Sequence, residues 1–367
     1  MTWVLLCAGL GLVLLVVGAE VLIKGASRLA TSIGVSPLVV GLTVVAFGTS
    51  APELAVSVSS AVKNQADIAL GNVVGSNIFN VLFILGLSAL VAPLAVSQKL
   101  LRLEAPLMIA SAAAVGLLGR DGSIGRLDGA LLAAGIVAYT AFVIRQSRKE
   151  NAEVQREYEQ EFGEVPRAGG LGSSRLGQLL FILAGLAMLV LGSEWLVDGA
   201  VLVARALGVT ELVIGLTIVA AGTSLPEVAT SVMASLRGER DIAVGNVVGS
   251  NIFNVLSVLG LSAVLSPRGV AVSPAALTFD VPIMVAVSVA CLPVFFGGRI
   301  GRVEGGIFLA YYVVYATFVV LAAKAHPLLE SMTWVMVWLV VPLSVVALLV
   351  LMVSKRRLEK DGAATSR

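Results

Sequence analysis

Long apolar stretches, separated by short polar segments, run along the whole chain. Eleven of them come close to or exceed the length of helix that crosses a lipid bilayer, about 20 residues. We predict helices near residues 3–23, 37–60, 70–92, 104–119, 127–144, 176–203, 211–236, 244–265, 278–296, 303–322 and 333–353. Because a helix satisfies its own backbone hydrogen bonds in lipid, the pattern predicts an all-α polytopic membrane protein with 11 spans.

The composition narrows the class of protein further. Of the residues, 58% are hydrophobic and 13% are charged, whereas a soluble domain carries about 25% charged residues. The net charge of +2, with no basic or aromatic stripe, predicts no nucleic-acid partner. Cys7 and Cys291 lie far apart and His326 is the single histidine, so the sequence offers neither a disulfide framework nor a Cys/His metal site. We expect a lipid-embedded protein without a resident cofactor.

The basic residues predict the orientation of the chain in the membrane. No basic residue precedes the first apolar stretch, which we therefore interpret as a retained helix and not as a signal peptide. With the N-terminus outside, 19 of the 25 Lys and Arg residues fall on the cytoplasmic side, where basic residues concentrate. We expect the N-terminus outside and the C-terminus in the cytoplasm. A compact chain without a regulatory domain suits a prokaryotic plasma (inner) membrane.

The two halves of the chain repeat one another. Residues 41–86 and 215–260 align without a gap, and 30 of their 46 positions are identical. Farther along, the dipeptide Gly-Arg at 125 recurs at 301. Each repeat holds five predicted helices, and an odd number sends the second copy into the membrane from the opposite side. The sequence thus predicts two inverted-topology repeats related by a pseudo-two-fold axis in the membrane plane.

This repeat divides the chain into four predicted parts. The first five-helix repeat covers residues 1–145, and the second, inverted repeat covers residues 175–323. A charged linker at 146–174 joins them on the predicted cytoplasmic side. Residues 324–367 carry the additional transmembrane helix and a basic cytoplasmic tail.

A glutamate stands well inside the second predicted helix of each repeat. Glu53 and Glu227 occupy equivalent positions, in the segments G-T-S-A-P-E and G-T-S-L-P-E. A carboxylate at the bilayer centre costs about 3 kcal/mol or more, so it faces the bundle interior and is a candidate functional group. The hydroxyl residues four and three positions before the glutamates share their helix face: Thr49, Ser50, Thr223 and Ser224.

A proline lies directly before each glutamate. Because Pro52 and Pro226 lack an N–H, they cannot bond to the carbonyls of Gly48 and Gly222, four residues earlier. A helix bent or broken here would offer bare carbonyls beside the hydroxyls and the carboxylate, all hard oxygen ligands that suit Ca²⁺ or Na⁺. For one copy alone a simple proline kink would be the better interpretation, whereas the repetition favours an ion site.

A second motif, G-N-V-V-G-S-N-I-F-N-V-L, is repeated without change at residues 71–82 and 245–256. Its serine and its last asparagine are four residues apart and point to one helix face. We include these residues in the candidate site: Ser76, Asn80, Ser250 and Asn254. The glycines of the motif predict close helix packing. The other asparagines we interpret as hydrogen bonders between helices: Asn72, Asn77 and their copies.

Other acidic residues receive structural interpretations. Asp67 and Asp241 precede the second motif, where we expect them to cap helix N-termini. Glu20 and Glu194 lie near helix ends at equivalent positions, and we expect a structural or interfacial role for both.

The two motifs, G-T-S-x-P-E and G-N-V-x-G-S-N-x-F-N, each present twice, resemble the α-repeats of the calcium/cation antiporter superfamily. The likeness is greatest to its prokaryotic sodium/calcium exchanger branch and covers residues 1–323 in layout. The resemblance implies two inverted five-helix repeats. It also implies four cation sites, enclosed by the broken second and seventh helices and by the third and eighth.

The resemblance implies a role for each candidate residue as well. Glu53 and Glu227 would be the central Ca²⁺ ligands and would also bind Na⁺. Further hydroxyl or backbone oxygens would come from Thr49, Ser50, Thr223 and Ser224. The flanking Na⁺ sites would be lined by the carbonyls of Ala46 and Ala220 and by the side chains of Ser76, Ser250 and Asn80. Some relatives have an aspartate where this chain has Asn254, which we retain as an amide ligand.

We therefore expect a secondary active antiporter that exchanges Ca²⁺ for Na⁺ by alternating access. A Ca²⁺/H⁺ exchanger is the main alternative, since two protons would neutralise two glutamates as well as one Ca²⁺ does. A cation channel is the less favoured one. An intramembrane enzyme would need a nucleophile–base pair or a metal motif, and the sequence contains neither. The counter-ion, the stoichiometry, the physiological direction and the oligomeric state stay open, and so does the role of the eleventh helix.

Overall fold

The computed structural model describes residues 2–162, 175–208, 218, 220–324 and 326–335. In the first half of the chain the helices are α1 (Thr2–Ile33), α2 (Pro37–Thr49), α3 (Ala51–Val62), α4 (Ala66–Val91), α5 (Leu100–Asp121) and α6 (Arg126–Phe162). In the second half they are α7 (Arg175–Ala206), α8 (Ala220–Gly222), α9 (Leu225–Leu236), α10 (Arg240–Leu265), α11 (Ala276–Phe295), α12 (Arg302–Ala323) and α13 (Leu328–Val335).

Most of these helices are suited to a membrane. Within the described residues, eight are long and apolar enough to cross one, and the bent pair α2–α3 would make a ninth. The predicted helix near 333–353 lies mostly outside the described residues, as does the first part of the helix predicted near 211–236. The eleven predicted spans are thus only partly visible here.

Two helices are longer than the sequence pattern predicts. We expected α1 to end near residue 23, yet it continues to Ile33. We expected a linker from residue 146, yet α6 continues to Phe162. The extension of α6 is rich in Glu, Gln and Arg, which are strong helix formers, and contains neither Gly nor Pro. The apolar pattern ends near residue 145, but the helix does not.

The predicted break beside the first glutamate is present. Helices α2 and α3 meet at Ser50 with a bend of 47°, and Pro52 is the second residue of α3. The same break recurs in the second repeat, where α8 ends at Gly222 and α9 begins at Leu225. Each glutamate therefore lies in the first turn of a helix that starts inside the protein.

Within the described ranges, five whole segments widen to π geometry, as does the single residue 218. The segments are Gly41–Val45, Asn80–Leu85, Leu100–Glu104, Asn254–Leu259 and Ala276–Asp280. Such turns leave the regular hydrogen-bond ladder and are frequent at functional sites. Two of them begin at the asparagines of the candidate site, Asn80 and Asn254.

Four two-residue strands, absent from our all-α prediction, cross-link the two repeats. Leu94–Ala95 pairs antiparallel with Arg299–Ile300, and Ser123–Ile124 pairs antiparallel with Val270–Ala271. At the repeat offset of 176, each pairing is the image of the other. Reciprocal contacts of this kind are what a two-fold relation between two units produces.

Helices α4 and α10 form the centre of the bundle. Inside the protein, 78% and 89% of their apolar windows are buried, against 33% for both α1 and α7. As predicted, Gly245 and Gly249 bring α10 close to another helix: a Cβ at either would lie 2.8–3.0 Å from α2 backbone. The residues equivalent to that part of α2, 212–216, lie outside the described residues, so the packing of Gly71 and Gly75 stays a prediction.

Candidate functional site

The two glutamates are held by serines of opposite repeats. Ser224 donates a hydrogen bond of 2.7 Å to Oε1 of Glu53, and Ser50 donates one of 3.0 Å to Oε1 of Glu227. The breaks in two different helices thus meet at one place. At each break a serine hydroxyl donates to the carboxylate of the other repeat.

This meeting point is closed to solvent and rich in oxygen. Glu53 and Glu227 are each 1% exposed. Among the described residues of α3, α4, α9 and α10, several buried oxygens have no hydrogen-bond partner: Glu53 Oε2, Glu227 Oε2, Asn80 Oδ1, Asn254 Oδ1, Ser250 Oγ and Thr230 Oγ1. Unpaired buried acceptors are costly, and a cation is the ligand that would compensate them.

The remaining hydroxyl candidates surround the two glutamates. The hydroxyl of Thr223 interacts with Glu53, and that of Thr49 with Glu227. Thr49 also lies 3.2 Å from Oδ1 of Asn246. Ser76 lies 3.3 Å from the hydroxyl of Ser224, which connects the second motif of one repeat to the first motif of the other.

The asparagines of the second motif bond across the interface between repeats. Asn80 donates to Oδ1 of Asn251 at 3.0 Å, and Asn254 donates to Oδ1 of Asn77 at 3.1 Å. Asn77 and Asn251 also donate to each other's backbone carbonyls, at 3.2 and 3.4 Å. Helices α4 and α10 are therefore joined by a closed and symmetrical set of amide hydrogen bonds.

The other asparagine of each motif holds the glutamate backbone, which the sequence interpretation did not foresee. Asn72 donates to the carbonyl of Glu53 at 3.2 Å and to the Ser57 hydroxyl at 2.9 Å. Asn246 does the same with Glu227 and Ser231, at 3.5 and 2.9 Å. They are hydrogen bonders between helices, as predicted. Their acceptors are the backbone of the site glutamates and a serine one turn farther along the same helix.

The backbone carbonyls in the site are less free than the proline argument suggested. The carbonyl of Gly222 is not bare, because Ser193 of α7 donates a 2.6 Å hydrogen bond to it. The carbonyl of Ala46 accepts from the N–H of Ser50 at 3.0 Å. Ala220 is the first residue of α8. The Thr49 hydroxyl also donates to the Ala46 carbonyl, at 3.4 Å. A carbonyl has two lone pairs, so the Gly222 carbonyl keeps one for a further ligand, whereas that of Ala46 would have to give up the weaker of its two hydrogen bonds.

Of the structural interpretations given to acidic residues, the N-cap prediction for Asp67 and Asp241 is wrong and the interfacial one for Glu20 is confirmed. Asp67 and Asp241 are not N-caps: Gln65 and Glu239 precede the helices, and both aspartates lie in the first turn. Both helices begin earlier than the motif suggested, and a first-turn aspartate favours the positive end of the helix dipole. Glu20 is interfacial as predicted. It pairs with Lys24 at 2.8 Å and with Arg237, in the α9–α10 turn, at 2.5 Å.

A third buried carboxyl group escaped the sequence analysis altogether. Glu104 is fully buried at the start of α5, and Tyr139 of α6 donates a 2.5 Å hydrogen bond to it. The repeat offset of 176 gives Asp280 and Tyr315 as the equivalent pair. The signal was present in the sequence, as an acid and a tyrosine repeated at the same spacing, although the acids differ.

With this geometry in place, comparison with known proteins identifies the family. The profile of the sodium/calcium exchanger proteins matches residues 3–145 and 177–321, most of the chain. The chain belongs to the sodium/calcium exchanger family. It is therefore an integral membrane protein of a cation-exchanging antiporter family, and its family is one of transporters, not of enzymes.

Curated relatives of this exchanger-family chain come from bacteria and archaea. It is 39% identical over 282 residues to the inner membrane protein YrbG of Escherichia coli (strain K12), covering 76% of this chain and 84% of the relative. The putative antiporter CaxA of Alkalimonas amylolytica is also 39% identical, over 83% of this chain and 95% of its own. The sodium/calcium exchanger MaX1 of Methanosarcina acetivorans is 34% identical, with the same two coverages.

Solved structures of a family member superpose on this fold. Two are of the sodium-calcium exchanger NCX_Mj, one soaked with 10 mM Na⁺ and 10 mM Sr²⁺ and one with zero Na⁺ and Ca²⁺. Both give a TM-score of 0.72 at 29% identity and cover 85% of this chain, and 96% and 97% of theirs. Eukaryotic sodium/potassium/calcium exchangers match a shorter part, 40% of the chain for the mouse protein.

Proposed function

We propose that this protein exchanges Ca²⁺ for Na⁺ across the membrane by alternating access. One observation carries the proposal: two buried glutamates from opposite repeats meet, and each keeps one carboxylate oxygen without a hydrogen-bond partner. The names of MaX1 and NCX_Mj, both sodium/calcium exchangers, support the same choice of ions.

The proposed ligands are the candidates that the sequence supplied. Glu53 and Glu227 bind Ca²⁺ centrally and Na⁺ in its absence. The neutral oxygens come from Thr49, Ser50, Thr223, Ser224, Ser76, Ser250, Asn80 and Asn254, and from the carbonyls of Ala46 and Ala220. Carboxylate, hydroxyl and amide oxygens are the ligands that Ca²⁺ takes in proteins.

The charge of the site bears on the stoichiometry. Two ionised glutamates carry a charge of −2, which one Ca²⁺ or two Na⁺ neutralise. Three Na⁺ would leave one excess positive charge, spread only over hydroxyl and amide dipoles. The family resemblance favours three Na⁺ for each Ca²⁺, so each exchange would move one net charge across the membrane.

The proposed topology is the inverted repeat. Eleven spans, with the N-terminus outside and the C-terminus in the cytoplasm, follow from the apolar pattern and the basic residues. The parts are the first repeat, 1–145, the linker, 146–174, the second repeat, 175–323, and the additional helix and tail, 324–367. The reciprocal strand pairings and asparagine bonds support a two-fold relation between the repeats.

Access to the site would alternate by movement of α1 and α7. These helices are far less buried than α4 and α10, so displacing them disturbs less of the core. They also pack on each other through glycines seven residues apart: a Cβ at Gly185 would lie 2.8 Å from the carbonyl oxygen of Gly18. We expect α1 and α7 to slide together as one unit over the α4–α10 core.

The test is ion-driven flux in proteoliposomes. Vesicles loaded with Na⁺ and diluted into Na⁺-free buffer containing Ca²⁺ should accumulate Ca²⁺, and valinomycin with K⁺ should change the rate if the exchange moves charge. Glu53→Gln should abolish the uptake. Uptake that ignores the Na⁺ gradient, or that survives Glu53→Gln, would contradict the proposal.

Exchange of Ca²⁺ for H⁺ is the second candidate. Asn254 is neutral, whereas some relatives have an acid at this position. The site therefore carries only the charge of −2 from the two glutamates, which two protons neutralise as completely as one Ca²⁺ does. The same vesicles with a pH gradient and no Na⁺ would then accumulate Ca²⁺. A cation channel would instead pass Ca²⁺ without either gradient and would show conductance in planar bilayers.

A further inference from the structure

We propose that Asn77 and Asn251 form a clamp that turns the amide oxygens of Asn254 and Asn80 toward the transported ion, so that neutral amides act as cation ligands. This inference rests on the proposed function and adds two positioning residues and a cause of ion affinity. We call the four asparagines, with Met108 and Met284, the amide clamp.

An asparagine is a cation ligand only in one of its two orientations. Its amide presents an oxygen on one side and an NH₂ group on the other, and rotation by 180° exchanges them with almost no change in shape. In a buried site the wrong orientation would place two N–H donors against the ion. Something must therefore fix the rotation of Asn80 and Asn254.

The fixed points are groups that can only accept hydrogen bonds. The amide of Asn77 faces the backbone carbonyl of Asn251 at 3.2 Å and the Met284 sulfur at 3.6 Å. The amide of Asn251 faces the carbonyl of Asn77 at 3.4 Å and the Met108 sulfur at 3.5 Å. Neither a carbonyl nor a thioether can donate, so these positions require the NH₂ side of Asn77 and of Asn251.

The orientations of Asn77 and Asn251 in turn fix those of Asn254 and Asn80. Because the NH₂ group of Asn77 already donates to the carbonyl and the sulfur, its Oδ1 faces Asn254. Asn254 must therefore donate from its own NH₂ group, and it does so at 3.1 Å. Asn251 binds Asn80 in the same way, at 3.0 Å. The Oδ1 atoms of Asn80 and Asn254 are left on the opposite side, buried and without a hydrogen-bond partner.

The pairing is crossed, and that makes it testable. Asn77 of the first repeat orients Asn254 of the second, whereas Asn251 of the second orients Asn80 of the first. An aspartate needs no orienting residue, because its two carboxylate oxygens are equivalent. In Asn254→Asp, Asn77 has no orientation left to fix, and its Oδ1 faces a carboxylate oxygen in place of a donor. Asn77→Leu should therefore no longer weaken ion binding in this background, whereas Asn251→Leu still should.

The experiment measures Ca²⁺ and Na⁺ binding to the purified full-length protein by titration calorimetry, which does not require transport. We expect Asn77→Leu to weaken binding at least about ten-fold, the equivalent of 1.4 kcal/mol. In the Asn254→Asp background the same substitution should not weaken binding. Asn251→Leu should be rescued by Asn80→Asp and not by Asn254→Asp.

The possible results separate the two proposals. A wild-type protein that binds neither Na⁺ nor Ca²⁺ overturns the proposed function. A wild-type protein that binds, with Asn77→Leu equally harmful in both backgrounds or rescued without regard to the crossing, overturns the clamp alone. If Asn77→Leu does not give a monodisperse protein, Met284→Leu replaces it. This nearly volume-conserving change removes one acceptor, and its smaller loss of affinity must also vanish in Asn254→Asp.

Discussion

The Ser224 hydroxyl donates a 2.7 Å hydrogen bond to Glu53, a carboxylate that belongs to the other repeat. A buried carboxylate that loses such a donor is destabilised by about 1.5–3 kcal/mol. We expect Ser224→Ala to lower the Tm by several degrees in ion-free buffer. Saturating Ca²⁺ should widen the difference, because Ser224 is also a proposed ligand and the variant gains less stabilisation from the bound ion.

The matched control for Ser224 is Ser235→Ala. Its hydroxyl is also buried on α9 but donates at 2.7 Å to the carbonyl of Ser231 in its own helix. Any loss of Tm in this variant should be the same with and without Ca²⁺. Ca²⁺-independent loss in Ser224→Ala as well would show that its hydroxyl serves packing and not the site.

The two glutamates should be comparably important for a divalent ion. Glu53→Gln and Glu227→Gln keep the shape of the side chain but remove one of two charges at the site. Coulomb attraction scales with the charge of the ion, so Ca²⁺ affinity should fall by at least about ten-fold and Na⁺ affinity by less. Titration calorimetry on each variant measures both. Glu194→Gln, an exposed glutamate on α7, serves as control and should bind both ions like the wild type.

The buried pair of Glu104 and Tyr139 should matter for stability and not for ion selectivity. Tyr139→Phe removes the hydroxyl that donates to Glu104 and leaves the carboxyl group without that partner, at a cost of about 1–3 kcal/mol. We expect a lower Tm with an unchanged ratio of Ca²⁺ to Na⁺ affinity. Tyr315→Phe, beside the only partly buried Asp280, should lower the Tm less. An altered ion selectivity in Tyr139→Phe would contradict this assignment.

The close packing of α1 on α7 predicts a severe effect of one methyl group. A Cβ at Gly185 would lie 2.6 Å from the backbone nitrogen of Leu22, so Gly185→Ala must push the helices apart, at about 1–3 kcal/mol. Both the Tm and the exchange rate should fall. Gly9→Ala on α1 is the control, because its Cβ would meet no described atom within 4 Å. Equal effects of the two substitutions would show that the packing is not limiting.

The ion pair between Glu20 and Arg237 ties α1 to the α9–α10 turn. If α1 moves during exchange this tie must break, so Arg237→Gln should raise the initial rate of Ca²⁺ uptake a few-fold without changing the half-saturating Ca²⁺ concentration. Glu20→Gln should act alike, and the double variant should add nothing. The increase should disappear at high ionic strength, where the exposed pair is already screened in the wild type.

The repeat supplies a control for this pair. Lys63 is the equivalent of Arg237, and within the described residues it makes no ion pair with Glu194, the equivalent of Glu20. Lys63→Gln should therefore leave the rate unchanged. A similar acceleration in Lys63→Gln would mean that the charge of these turns, and not the tie, sets the rate.

Much of the fold could be predicted from local properties of the sequence. The apolar stretches gave the helices because lipid demands a continuous apolar surface over a fixed length. The two identical motifs indicated equivalent units. Pro52 and Pro226 predicted the helix breaks, since a missing N–H acts on its own helix whatever surrounds it. Glu53 and Glu227 stood out because a carboxylate inside a span has no cheap structural explanation.

Most of what the pattern missed depends on neighbours distant in the chain, and the end of α6 is the local exception. The end of α6 was placed too early, because apolarity ends at the membrane while helix propensity continues to Phe162. The strand pairings, the capping of the Gly222 carbonyl by Ser193 and the pair of Glu104 with Tyr139 join segments 29 to more than 200 residues apart. Spacing along one helix contains no information about such contacts.

The sequence by itself determined that this is a helical membrane protein with a duplicated, oxygen-bearing pair of broken helices. Only the tertiary structure decided that each serine serves the carboxylate of the opposite repeat, and which way the asparagine amides point. The physical reason is that helix faces follow from a local period. The depth and rotation at which two helices meet follow from the packing of every side chain between them.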